Sequence, residues 1–220
     1  TFCRDISDQL QAEQEQQRIN QMVLVGQMAA GLAHEIKNPL AGVKVSLDVL
    51  AEDLNLQQED KELFARIINE VNRMERLLKS LLSYARPPLP HFDLVDINRL
   101  IENSLNNVKV VSSNREDACI HFKNDFAADL PQTEVDSSQI QQVLLNIYLN
   151  AFDAIETEGT ITTTTRLFEQ DSIWIEICDT GKGLSNQQLQ KIFNPFFTTK
   201  TKGTGLGLSI SKRLIEQHGG

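Results

Sequence analysis

Four stretches of the chain bring together groups that can do chemistry. The first is His34 with Glu35 and Asn38, inside a long helical pattern. Leu32 and Ile36 lie on the apolar stripe of that pattern, and His34 sits two residues from each. At roughly 100° per residue it therefore points about 160° away from both, into water. A neutral imidazole in that position offers a ring nitrogen as a nucleophile. Asn38, four residues on, shares its face, and Pro39 removes a backbone hydrogen bond just beyond, which should bend the helix. The second stretch is Gln142, Asn146 and Asn150, four apart on one helical face, with Val143, Leu144 and Ile147 on the other. Mg²⁺ is a hard ion that takes oxygen ligands and keeps several waters, so an amide oxygen of Asn146 can hold it against a triphosphate. The third, Asp179-Thr180-Gly181-Lys182-Gly183, directly follows a strand pattern. A carboxylate at a strand end can accept the amino hydrogen bond of adenine, and Gly181 and Gly183 let the backbone come close to the base. The fourth, Gly203-Thr204-Gly205-Leu206-Gly207-Leu208, opens the last helical pattern, where backbone amides and a partial positive charge face phosphates. Each stretch alone has a plain reading: an exposed histidine, asparagines on a solvated helix, a turn, a glycine-rich loop.

Positioning these groups requires two kinds of element. Apolar residues at Val25, Ala29, Leu32, Ile36, Leu40, Val43, Leu47, Leu50 and Leu54 recur every three or four positions, the signature of one amphipathic helix. A polar break at Asn55 to Asp60 separates it from a second helix, about Lys61 to Ala85, with Ile67, Val71, Met74, Leu78 and Leu81 on its stripe. Two such helices form an antiparallel hairpin that cannot hide its stripes alone. Pairing two hairpins across a two-fold axis gives a four-helix bundle, so a homodimer is expected. Arg86-Pro87-Pro88-Leu89-Pro90 marks a boundary, because proline lacks the amide that a helix needs. Beyond it the pattern is mixed: strands at Phe92 to Val95, Cys119 to Phe126, Thr160 to Phe168 and Ser172 to Cys178; helices at Asp96 to Val111, Ser137 to Glu156 and Leu206 to His218. Antiparallel strands with helices on one face predict an α/β sandwich. The expected domains are residues 1–21 (a linker), 22–86 (the hairpin) and 91–220 (the sandwich).

With 40% hydrophobic and 23% charged residues, the chain reads as globular. A formal net charge of −9 argues against nucleic acid as a partner, since phosphate backbones demand clustered Lys and Arg. It leaves room for a nucleotide in a local pocket with a bridging metal. The cysteines, Cys3, Cys119 and Cys178, lie far apart with no CxxC spacing, which speaks against a disulfide framework or a zinc site and for a reducing compartment. No stretch reaches the ~18–20 uninterrupted apolar residues of a membrane span. The chain starts at Thr1 without a signal-peptide pattern and reads as a piece of something longer. Any membrane contact is therefore expected only through segments outside it, with this core in the cytoplasm.

The run Met28-Ala-Ala-Gly-Leu-Ala-His34-Glu35-Ile-Lys-Asn38-Pro39-Leu40 resembles the phosphoacceptor motif of sensor histidine kinases. The later stretches, in the same order, resemble the asparagine box and two glycine boxes of that family's ATP-binding domain. Phe193-Asn-Pro195-Phe196-Phe197-Thr-Thr-Lys200 resembles its phenylalanine box. The spelling NAxDA with FFTTK is most similar to the nitrogen-regulation type, and Phe2 to Asp8 resembles the last strand of a PAS sensor domain. Two positions depart from the pattern. Many members of the family carry a basic residue where this chain has Asp153, so phosphate contact falls to Lys200 or Lys202. The family also continues into further strands beyond Gly220, so the final strands of the sandwich are expected to be missing here.

The resemblance implies a histidine kinase/gyrase/MutL-type ATP-binding fold after a dimeric helical bundle. It implies attack of His34 on the γ-phosphate of Mg-ATP, with Glu35 orienting the ring and Asn146 holding Mg²⁺. The phosphoryl group then passes to an Asp on a response-regulator receiver domain, and the same protein could also dephosphorylate that partner. Three other functions fit parts of the pattern. Glu35 and Asn38 resemble the acid-x-x-amide arrangement of a phosphatase-dominated regulator. A non-catalytic nucleotide-sensing dimerisation module would show degraded boxes, whereas these are intact. A gyrase- or MutL-like ATPase would not need the His34 motif.

Overall fold

A computed structural model describes residues 36–47, 49–51, 58–85, 88–112, 119–168, 172–200 and 203–220. His34, Glu35 and Lys202 lie outside the described residues. The chain divides into two compact units, Thr1–Pro88 and Leu89–Gly220.

In the first unit, residues 36–47 and 49–51 are helical (α1), with Pro39 inside the helix, and α2 spans Gln58–Ala85. Lys44 Nζ donates to Asn72 Oδ1 at 3.0 Å and ties the two helices together. Val71 and Tyr84 are buried, whereas Ile36, Val43, Leu50, Ile67 and Met74 on the stripes stay exposed. Exposure of large apolar residues along both helices is what a hairpin shows when it must bury its stripe against something else.

The second unit runs β1 (Asp93–Val95), α3 (Ile97–Ser112), β2 (Cys119–Phe126), β3 (Thr133–Val135), α4 (Ser137–Ala154), β4 (Glu158–Phe168), β5 (Ser172–Asp179), α5 (Asn186–Leu189) and α6 (Gly207–Gln217). A two-stranded sheet pairs β1 with β3, and a three-stranded sheet has the order β2-β4-β5. Ile161 of β4 and the inner side chains of β2 and β5 pack against Ile101, Leu105 and Val108 of α3 and Leu144 and Tyr148 of α4. The helices therefore cover one face of the sheet, as alternation in the strands predicts. The sheet is mixed, not antiparallel: β4 and β5 form the expected hairpin, but β2 runs parallel to β4. A parallel pair needs a crossover, and β3 with α4 supplies it. Tyr148 is fully buried and shares a hydrogen bond with Thr163 Oγ1 at 2.9 Å, and burial pushes its phenol up to about 12.

Asp136 fixes the start of α4. Its Oδ1 accepts from the Ser138 and Gln139 amides at 2.9 and 3.0 Å and from the Ser138 hydroxyl at 2.7 Å, while Oδ2 accepts from the His91 amide at 2.8 Å. The Asp136 amide in turn donates to Nε2 of His218 at 3.0 Å, which links the end of α6 to the start of α4. Burial pushes the Asp136 carboxyl up, but the His91 amide, the Ser138 hydroxyl and the Gln139 and Ser138 amides outweigh it and hold it at about 2, from an ordinary 3.8. Because the folded value lies below the unfolded one, this contribution is complete above the ordinary value and disappears as pH falls toward about 2. Replacing Asp136 with Ala is expected to destabilise the unit by about 2 kcal/mol at neutral pH. In acid titrations of unfolding, the variant should lack the stability loss that the parent shows across this window. Equal pH slopes for the two proteins would remove Asp136 from the account.

Candidate functional site

α4 is the spine of the site. Three of its residues, four apart, each hold a separate segment of the chain. Asn146 Nδ2 donates to the Gly207 carbonyl and to Ser211 Oγ, both at 3.2 Å, fixing the start of α6. Asn150 Oδ1 accepts from Lys200 Nζ at 2.7 Å. The Ala154 carbonyl accepts from the Lys182 amide at 3.1 Å, which holds the turn after β5. A spacing of four keeps all three on one helical face, as the sequence predicts for Asn146 and Asn150.

The turn after β5 is built for close approach. A Cβ on Gly181 would stand 2.6 Å from the Ala154 carbonyl oxygen, so only glycine fits against the end of α4. The Gly181 amide donates to Asp179 Oδ1 at 2.9 Å, and Asp179 is exposed. Thr180 Oγ1 accepts from the Thr160 amide at 3.0 Å, locking the turn to β4. Gly183 has a φ of 65°, in the left-handed region.

The glycine-rich segment packs on the phenylalanine-rich one. Gly205 has a φ of 69°, and a Cβ there would strike the backbone of Phe196, which itself has a φ of 65°. A non-glycine residue in that region is strained, and it persists only where the surroundings over-determine it. Thr204 Oγ1 accepts from the Leu206 amide at 3.2 Å. Leu206 is 2% exposed and Leu208 half-buried, so these leucines serve as anchors and the segment offers its backbone rather than their side chains.

The hydrogen bonds of Asn146 engage its nitrogen and leave its oxygen free of them. The Gly207 carbonyl can only accept, so the amide nitrogen must face it, and the harder donor, Oδ1, is left over. Among the described residues no cluster of three His, Cys, Asp or Glu could hold a metal, so an ion here would be held by an amide oxygen and a bound ligand's own oxygens. Ser211, Thr180 and Ala154 are site residues that sequence reasoning misses. Thr180 lies inside the Asp179–Gly183 stretch, and Ser211 stands one helical turn after Gly207 in α6. Asn38 is exposed on α1, in the first unit.

Residues 24–89 match the His Kinase A (phospho-acceptor) domain, and residues 135–220 match the histidine kinase-, DNA gyrase B- and HSP90-like ATPase. The sensor histidine kinase ZraS of Salmonella typhi is 39% identical over 92% of this chain and 43% of its own length. The chain thus spans less than half the length of the curated relatives it matches most strongly. Among solved structures, full-length ShkA in complex with AMPPNP superposes with a TM-score of 0.75 at 25% identity, over 88% of this chain and 41% of that one. The histidine kinase ThkA in complex with the response regulator TrrA gives 0.64 at 28% identity, over 96% of this chain and 60% of that one. The catalytic domain of ThkA alone is 32% identical over 58% of this chain and 82% of that domain, with a TM-score of 0.51. The chain belongs to the histidine kinases, joining their phospho-acceptor domain to their ATPase domain.

Proposed function

We propose that this chain is the core of a sensor histidine kinase of a two-component system, which phosphorylates its own His34 from Mg-ATP. The observation that carries the reading is the convergence on α4 of the asparagine ridge, the Asp179 turn and the Gly203–Gly207 segment. In this reading the second carboxylate oxygen of Asp179 accepts the adenine amino hydrogen bond, beside Gly181 and Gly183. Backbone amides at the start of α6 and the ammonium of Lys200 receive the phosphates. Asn146 would hold Mg²⁺, which when bound neutralises charge on the phosphate oxygens. A ring nitrogen of His34 attacks the γ-phosphorus in line; the N–P bond forms, the bond to the bridging oxygen breaks, and ADP leaves. Glu35 accepts the other ring proton and orients the imidazole. The domain limits that go with this reading are 22–86 for dimerisation and phosphotransfer and 91–220 for ATP binding.

The partners follow the same logic. The open stripes of α1 and α2 support a homodimer, and the response regulator bound to ThkA supports a receiver-domain Asp as the next phosphoryl acceptor. The spellings NAxDA and FFTTK support the nitrogen-regulation type, and Phe2 to Asp8 supports a PAS domain upstream. No described helix is long and apolar enough to cross a membrane. We assign this ATP-using core to the cytoplasm, with membrane contact only through segments outside this chain.

Exchanging Asp179 for Asn tests the nucleotide site. The change reverses the hydrogen-bond polarity offered to adenine, so ATP affinity should fall at least tenfold and the preference for ATP over GTP should narrow. Competition against a fluorescent nucleotide measures both. An unchanged preference would reject the adenine role.

A further inference from the structure

Lys200 reaches α4 with two bonds. Its ammonium lies 2.7 Å from Asn150 Oδ1 and 2.8 Å from Asp153 Oδ2. The backbone around it is set to aim it there: Thr198 Oγ1 accepts from the Lys200 amide at 3.1 Å, and the Gly203 amide donates to the Lys200 carbonyl at 3.2 Å. Two of the three ammonium protons thus point at α4, on the face that also carries Asn146.

Asp153 has a charge that a phosphate site would not choose. A carboxylate one helical turn from Asn150 repels a triphosphate and also holds the cation that would attract it. The pair is part-exposed, 39% for the lysine and 46% for the aspartate, and ion pairs of that exposure are weakly held. A triphosphate carries several negative charges and can take the lysine over.

We propose that Asp153 is a positioning residue that clasps Lys200 and its Thr198 turn against α4 until the triphosphate of ATP displaces it. The proposal rests on the ATP reading above and adds a residue that works against ATP affinity through Lys200. Asp153 thereby tunes the affinity of the site and couples occupancy to release of the segment that Lys200 anchors.

The test uses the 220-residue chain, with Asp153→Asn, Lys200→Met and the double variant. A displaceable fluorescent ATP analogue reports affinity. Hydrogen exchange of peptides covering Thr198 to Leu206, with and without Mg-ATP, reports the clasp. Asp153→Asn should tighten ATP about three- to tenfold and speed exchange only in the nucleotide-free protein. Asp153→Ser, which removes the same charge with less bulk, should behave alike. Lys200→Met should weaken ATP at least tenfold, and adding Asp153→Asn to it should recover less than the single change gains, because the clasp is already gone. Weaker ATP binding by Asp153→Asn would show that Asp153 supports the bound state and would overturn the proposal. So would wild-type affinity together with wild-type exchange. A parent protein that binds no ATP would instead defeat the nucleotide site itself, a result separable from any effect of Asp153.

Discussion

Replacing Asn146 with Ala is expected to cut Mg-dependent autophosphorylation by two orders of magnitude or more while the protein stays folded. The two ends of this amide do different work. Its nitrogen fastens α6 to α4 through the Gly207 carbonyl and Ser211 Oγ, and its oxygen takes no part in those bonds. Losing two neutral, part-buried hydrogen bonds costs about 1–3 kcal/mol. That is a tolerable loss for a folded unit, but under the proposed role the change also removes the oxygen that would hold Mg²⁺ against the phosphates. Asn146→Asp separates the roles. It keeps an oxygen available to a cation but turns another against the Gly207 carbonyl, so it should be less stable than Asn146→Ala and yet recover more activity as Mg²⁺ is raised. Thermal melts and a magnesium titration measure the two effects. An Asp variant worse than Ala in both would make Asn146 a structural clamp alone.

This division of labour also marks the limit of what the chain shows as text. A spacing of four places Asn146 and Asn150 on one face, and that face is the one the structure uses. Long periodic segments were legible for the same reason: α2, α3, α4 and the β4–β5 hairpin each run through several repeats of their own period. β3 has three residues and α5 four, and neither was anticipated, whereas β1, equally short, was expected just after the proline boundary. The direction of β2 was illegible because alternation tells which face a strand buries, not which neighbour it takes. The Asn146 amide could be read as exposed ridge, but its tie to Ser211 exists only once α6 lies on α4. The same holds for Lys200 and Asp153, 47 positions apart, whose pairing depends on a turn held by Thr198. Sequence patterns report local periods, and contacts between elements need the assembled fold.

The second large effect is on the histidine itself. Changing His34 to Gln should abolish phosphoryl transfer completely, because glutamine is polar and of similar size, which suits the solvated position that the sequence pattern predicts, but has no nucleophilic ring nitrogen. The proposed ATP-binding residues all belong to the second unit, Leu89–Gly220, so ATP affinity should hold within about twofold. Loss of the reaction with binding retained separates a missing acceptor from a damaged fold. The decisive measurement is incubation of the parent and the His34→Gln variant with γ-labelled ATP and Mg²⁺, followed by acid and base treatment of the labelled protein. A phosphorus–nitrogen bond on imidazole breaks in acid and survives base. The account predicts an acid-labile, base-stable label on the parent and none on the variant. A label that survives acid, or one of the expected stability that persists without His34, would contradict it.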